Sequence, residues 1–283
     1  MSLADLLKLA LDSILRARVR SSMLLLAMGI GVAAVIVLTG LGEAARRYVA
    51  GEFQVLGTRL IIVLPGRSET TGIQPGLFSG ETPRDLTLAD AEALRAIPDV
   101  ERVAPLVVGA APISARGRER EVPVLGTTAD YLAVQNTEVT EGQFLPPGEI
   151  DVDRAVCVIG ANVRRELFGD GPAIGESLRI GERRFRVVGV LASQGRSIGF
   201  DTQELVIVPV SAAQALFNSE SLFRVLVQTR SRESMLRVRD QSLAVIKARH
   251  QGEEDVTVIT QDALLATFDR IFTALTLTLA GIA

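Results

Sequence analysis

The single histidine, His250, and the single cysteine, Cys157, are all this sequence offers toward imidazole or thiol chemistry. His250 closes a charged helical segment and reads as a solvated residue. Cys157 sits among Val156, Val158 and Ile159 and reads as a core side chain. One of each supports neither a zinc site nor a disulfide framework. No serine stands in a G-x-S-x-G context, and G-x-x-x-x-G-K-[ST] is absent, so the chain holds no P-loop of its own. No catalytic, metal-binding or cofactor-binding residue is therefore expected, and no cofactor. Gly29, Gly31 and Ala34 spell G-x-G-x-x-A, but a dinucleotide fingerprint needs a strand before it and a helix after it. Both flanks here are one long apolar helix. The charged segment "ARGRERE" at 115–121 reads first as a hairpin tip. Its Arg116, Arg118 and Arg120 also qualify as a docking surface. A loop "SQGRSIGFD" at 193–201 adds Arg196 and Asp201 as candidate partner contacts. The net charge of −3 gives no reason to expect nucleic acid.

The elements that position these residues begin with apolar patterning, since 48% of the residues are hydrophobic. Residues 21–42, "SSMLLLAMGIGVAAVIVLTGLG", form an uncharged run of 22 residues. At about 1.5 Å per residue it is roughly 33 Å long, enough to span a bilayer core. Lys8, Arg16, Arg18 and Arg20 precede it, against Arg46, Arg47 and Arg59 after it, which favours a cytoplasmic N-terminus. Ala27-x-x-x-Gly31 and Gly29-x-x-x-Ala33 place small residues at the spacing that packs one membrane helix on another. Residues 1–20 read as an amphipathic helix at the inner membrane surface, with Leu3, Leu6, Leu7, Ala10, Ile14 and Leu15 on one face. After Arg270 no charge follows, and 261–283 read as a stalk and the start of a second span, cut short.

Between the spans the pattern is that of a folded α+β domain on the periplasmic side. Residues 43–57 prolong the first span as a helical stalk. The first half, 58–125, offers the strand "RLIIVLPG", a helix "LADAEALRAI" capped by Thr87 with Asp90 three residues on, and the strand "VERVAPLVVGAAPIS". The second half, 205–260, offers "SLFRVLVQT", a helix through 231–250, and "VTVIT". Two β-α-β units of this kind are the ingredients of a split, ferredoxin-like α/β layer. Residues 126–204 read as an inserted, strand-rich subdomain: "AVCVIG" as a buried strand, "ANVRRELFG" as a short helix, and two strands turning at Gly181-Glu182.

The stretches "GIGVAAVIVLTGLGEAARRYVAGEFQVLGTRLIIVLPG", "LTLADAEALRAIPDVERVAPLV", "VLGTTADYL", "GANVRRELFG", "GERRFRVVGVLASQG" and "VITQDALLATFDRIFTALTLTLAGIA" follow one another as in MacB-type permeases. The chain resembles the N-terminal part of that FtsX-like ABC superfamily, which also contains LolC and LolE. The resemblance implies a multi-pass inner-membrane permease that works as a homo- or heterodimer with a separate cytoplasmic ABC ATPase. It also implies a periplasmic domain that relays ATP-driven motion, with a periplasmic adaptor and an outer-membrane channel as further partners, or lipoproteins as cargo. One local departure is that the acidic residues beside "GFDTQELVIVP" are Asp201 and Glu204 alone. On topology, a bitopic receptor with a periplasmic sensor domain shares the same outline.

Overall fold

The computed structural model describes residues 59–66, 84–148, 153–169, 171–192, 196–197 and 200–260, with scattered positions between 19 and 44 and at 271 and 274. The amphipathic segment before 19 and nearly all of the stalk and of the second apolar run lie outside the described residues. The chain divides into two compact units, one formed by Met1–Gly51 with Leu265–Ala283, the other by Glu52–Leu264. In the first unit every described position is helical. Among the described residues no helix is long and apolar enough to cross a membrane. Among the described residues of this unit, Met23, Leu25, Met28 and Ile36 stand exposed.

The second unit is built on one ten-stranded sheet. Strand β1 (Leu60–Pro65) is buried along nearly its whole length, as a central strand must be when both faces are covered. It pairs antiparallel with β11 (Arg224–Thr229) and with β12 (Val256–Thr260), and β11 pairs antiparallel with β2 (Val100–Ala115). The resulting order β12-β1-β11-β2 makes β1 parallel to β2 and β11 parallel to β12, each pair separated by one strand. Helix α1 (Leu88–Arg95) links the first pair, and the second pair is linked by α5 (Met235–Arg249). This is the split, ferredoxin-like layer expected from the two β-α-β units.

Alternation along each strand splits its apolar residues between two cores. Ile61, Val63, Val225 and Val227 meet Leu94 of α1 and Val238 and Ile246 of α5. Leu60, Ile62, Leu64, Leu106 and Leu226 join Tyr131 and Val134 of the short helix α2 (Asp130–Val134) on the opposite face. Burying each such side chain is worth about 1.5–3 kcal/mol, so the layer is fixed from both sides.

Strand β2 is the element that ties the unit together. At about 3.3 Å per residue its 16 residues reach roughly 50 Å. Residues Val100 to Leu106 pair with β11, and Val107 to Ala115 pair with β3 (Arg118–Thr127). Beyond β3 the sheet continues through β10 (Val206–Pro209), β5 (Val156–Ile159), β7 (Arg183–Leu191) and β4 (Val139–Gly142). Strand β6 (Ser177–Ile180) pairs with both β7 and β2. The path β2-β3-β10-β5-β7-β6 thus returns to β2, a closed ring of six strands that leaves no open edge of its own. Cys157, Leu178, Ile180, Phe185, Val187 and Val206 are buried in it.

The ring reaches to either side of 126–204. Strand β3 precedes that segment, and β10 follows it with the helix α4 (Val210–Phe217). Helix α4 lies close on β2 and β3 because two strand positions there carry no side chain. A Cβ at Gly126 would stand 2.2 Å from the Cβ of Ala213, and one at Gly109 would stand 2.4 Å from Cζ of Phe217. The loop expected at 193–201 contains a two-residue ladder, β8 (Arg196–Ser197) against β9 (Phe200–Asp201).

Candidate functional site

The arginine-rich segment is the tip of the β2–β3 hairpin, as its turn chemistry requires. Ala115 pairs with Arg118, and Arg116 and Gly117 between them have φ of 51° and 79°. Positive φ at both central positions is the type I′ pattern that matches strand twist, and Gly117 supplies one of the two at no steric cost.

All three arginines of the tip are fastened to their own chain. Arg116 donates to the carbonyl of Pro172 at 3.2 Å and to Glu176 at 3.1 Å, with its guanidinium 5.5 Å from the Phe168 ring centroid. Arg118 donates to the carbonyl of Glu166 at 2.6 Å. Arg120 joins the Glu166 carboxylate and donates to Glu204 at 2.6 Å. Glu166 and Phe168 lie on helix α3 (Ala161–Phe168), so the hairpin tip and the helix end are pinned to each other. Glu204 also accepts from Asn162. That hydrogen bond, with the hydrogen bond and charge of Arg120 and the nearby charge of Arg165, holds its carboxyl below the ordinary range against the opposing effect of burial.

Asp201 faces Arg196 across β8–β9 and accepts from the backbone N–H of Gln203 at 2.9 Å. The side chain of Arg196 lies outside the described residues. The turn after Asp201 therefore delivers Glu204 to Arg120 and brings the 196–204 hairpin to the β2–β3 tip. The sequence placed Arg116, Arg118 and Arg120 on one tip. The acidic partners Glu166, Glu176 and Glu204 that close the tip come from up to 84 residues away, beyond any local pattern.

The small-residue face is helical at Ala27, Gly29, Gly31 and Ala33, with Gly31 half-buried and the other three exposed. No described atom lies within 4 Å of a Cβ built at Gly29 or Gly31.

His250 corrects the sequence reading. It is not solvated: only 5% of its surface is exposed. Its Nδ1 lies 2.7 Å from Oδ1 of Asp255, and its Nε2 lies 3.2 Å from Oδ2 of Asp90. Polar neighbours in sequence made the residue look external. The chain turns back at Gln251-Gly252, and Asp90 arrives from α1, 160 residues away. Asp90 also completes the capping box with Thr87 and accepts from Nε of Arg249 at 2.6 Å. Burial pushes the Asp90 carboxyl up, but the bonds from Arg249, Thr87 and His250 outweigh it and leave the carboxyl below its ordinary value. Both ring nitrogens of His250 are engaged and the cluster is closed to solvent, so it clasps α1, α5 and β12 and offers no base to a substrate. Cys157 is fully buried, and burial drives its thiol far above the ordinary range, which makes it inert. Among the described residues, no group of three or more His, Cys, Asp or Glu could hold a metal ion.

A split β-α-β layer that carries a closed strand ring on one shared strand defines a two-part α+β module. Residues 21–245 match the MacB-like periplasmic core domain, and the chain belongs to that family. It is 30% identical over 281 residues to a macrolide export ATP-binding/permease protein, MacB 1/2, of Paracoccus denitrificans (strain Pd 1222), covering 99% of this chain and 41% of that protein. It is 32% identical over 272 residues to a pyoverdine export ATP-binding/permease protein, PvdT, of Pseudomonas entomophila (strain L48), covering 94% and 40%. The fold is similar to that of the crystallised periplasmic region of MacB from Actinobacillus actinomycetemcomitans, with a TM-score of 0.63, 17% identity and coverage of 77% of this chain and 95% of that one. The chain spans about two fifths of the length of the curated relatives it matches.

Proposed function

We propose that the chain is the permease part of an ABC-type export complex, in which the Glu52–Leu264 unit stands in the periplasm and relays motion produced by ATP hydrolysis in the cytoplasm. The observation that carries this reading is the continuity of β2. The chain comes in at Leu60 and leaves at Thr260 along one edge of the four-stranded layer, where β2 also begins. From there β2 runs without a break into the strand ring and ends at the arginine tip. A displacement applied at the first edge is therefore delivered at the tip by one strand.

The weakest point of such a strand is between Leu106 and Val107, where it changes partners from β11 to β3. Three side chains brace the strand three residues before this switch, at Val103. The carbonyl of Val103 accepts from Nη2 of Arg95 at 3.3 Å and from Oγ1 of Thr128 at 3.4 Å, and Arg95 also pairs with Asp130 at 2.7 Å. An ABC ATPase partner supplies the hydrolysis that moves this part. Two permease chains pair, and the tip with its 196–204 hairpin meets a periplasmic adaptor that leads to an outer-membrane channel. The family membership and the export named for both relatives support this over a two-span receptor.

The test is purification from membranes followed by reconstitution. The full chain should bring down an ABC ATPase, and the complex in proteoliposomes should move cargo with ATP. Arg95→Ala combined with Asp130→Ala should lower transport several-fold while ATP hydrolysis continues. Recovery of a sensor kinase in place of an ATPase would overturn the reading, and unchanged transport by the double variant would overturn the relay through β2.

A further inference from the structure

Strands β6 and β7 form a hairpin whose outward face is rich in arginine. Alternation sends Phe185 and Val187 of β7 into the ring and leaves Arg184 and Arg186 exposed, just as it buries Leu178 and Ile180 of β6 and exposes Ser177 and Arg179. Pairing sets Arg179 directly opposite Arg184, and Ser177 opposite Arg186. Like charges directly opposite each other destabilise a strand pair. Elsewhere on the ring such charge is matched: Arg116 meets Glu176 at 3.1 Å, Arg120 meets Glu204 at 2.6 Å and Arg183 meets Asp153 at 2.5 Å. Arg179 meets Glu182 at 2.8 Å, at the turn of its own hairpin. The side chains of Arg184 and Arg186 make no hydrogen bond or ion pair among the described residues. The flank therefore holds a repulsion that the domain itself does not relieve.

We infer that this flank docks an acidic surface of a periplasmic partner protein, which rests on the periplasmic placement proposed above. Outward positions recur about every 6.6 Å along a strand and stand about 5 Å apart across a pair. Carboxylates on one face of a partner helix recur at a similar spacing of about 5–6 Å, and each takes a guanidinium through two parallel hydrogen bonds. The outward side of a closed ring is convex, so it encloses no small anion. Through Ser114, which pairs with Arg179, the flank joins the half of β2 that lies beyond the switch of partners at Val107. The chain comes in and leaves beside the other half, where β2 pairs with β11. A protein bound to the flank takes up the displacement that β2 delivers.

Photocrosslinking from Ser177, the exposed neighbour of Arg186, in cells that make the full chain tests this. With Ser177→p-benzoylphenylalanine, the adduct should map to a protein segment that carries carboxylates at helical i,i+4 spacing. An exposed ion pair is worth up to about fivefold in affinity, so reversing both charges with Arg184→Glu and Arg186→Glu should cut the adduct by about tenfold. Arginine in place of the mapped carboxylates should bring it back. Arg184→Glu by itself also sets a carboxylate opposite Arg179 and should raise the melting temperature of the full chain. No adduct, an adduct on a glycan or on a second copy of this chain, or one that survives the charge reversal would overturn the docking surface. So would a lower melting temperature for Arg184→Glu, which would make the arginines structural. The ABC ATPase should co-purify with native and reversed chains alike; its absence from both would overturn the export reading, whereas the crosslink and its charge reversal decide the docking surface.

Discussion

Replacing Asp90 with Asn keeps the shape of the residue and removes its charge from the clasp around His250. In the native protein the carboxylate accepts from Arg249 at 2.6 Å, from the backbone of Thr87 at 2.9 Å and faces His250 Nε2 at 3.2 Å, with only 3% of its side chain exposed. Hydrogen bonds to charged groups contribute about 1.5–3 kcal/mol each, and breaking a buried charged pair costs about 3–5 kcal/mol. The Asn amide keeps one acceptor oxygen, and Arg249 is partly exposed and recovers water, so the loss should lie near the lower figure, about 3 kcal/mol. For a folded unit of this size each kcal/mol moves the melting temperature by roughly 2–4 °C, which gives a fall of about 6–12 °C at pH 7. The pH profile supplies a second reading. The folded Asp90 carboxyl lies below its ordinary value, so its stabilisation is present above that ordinary value and disappears as the pH falls through the folded value. Calorimetry of both proteins should show a constant gap at neutral pH that narrows below about pH 4 as the native carboxylate takes up a proton. A gap under about 1 kcal/mol at pH 7, or one that does not narrow in acid, would refute the account of the clasp.

Gly126→Val should destabilise the strand ring by at least about 2 kcal/mol, because its Cβ would meet Ala213 at 2.2 Å; Ala213→Gly should recover part of the loss in urea unfolding. A cysteine at Ser68 should react with a membrane-impermeant reagent from the periplasm and one at Ser2 should not; the reverse labelling would invert the topology. Gly31→Leu should insert normally, since Leu is at least as apolar, yet hold a neighbouring helix away, so that ATP hydrolysis continues while transport falls; wild-type transport at wild-type expression would place Gly31 against lipid.

The split layer was legible because its strands are apolar runs ended by Pro65-Gly66, its first helix carries Thr87 and Asp90 at capping distance, and the two β-α-β units repeat one pattern. The strand ring was only partly legible. Its strands are short, and β3 begins in "RERE", whose charges mark a solvent-facing hairpin and hide the buried Val122 and Val124 that follow. Helix α4, "VSAAQALF", follows Pro209 without a capping side chain and owes its place to the glycine seats at 109 and 126, which only packing reveals. At the candidate site the arginines could be read and their partners could not. Glu166, Glu176 and Glu204 look like ordinary surface carboxylates until the fold sets them against the tip. His250 failed for the same reason: a residue between Arg249 and Gln251 looks solvated, and its burial is decided by Asp90, which only the crossing of α1 and α5 supplies.

The two ends of β2 differ in a way that bears on how a relay would work. At the tip each arginine is matched by a carboxylate or carbonyl of the same domain, so that end is stiff before any partner arrives. Ordering it on binding would cost little entropy, since the side chains are already held. At the opposite edge Arg59 and Arg102 share Glu101, and exposed Arg237 reaches Asp99 at 3.5 Å, a looser set of contacts. Between them the strand changes partners once, and the brace from Arg95, Thr128 and Asp130 stands three residues before that change, at Val103. A rod that is braced beside its switch of pairing passes displacement on, whereas an unbraced one would bend there and absorb it. On this view the domain requires no chemical site to function. Its charged side chains serve to keep the two ends of β2 at a fixed separation, and the one buried histidine serves the same end by holding α1, α5 and β12 as a single body behind the strand.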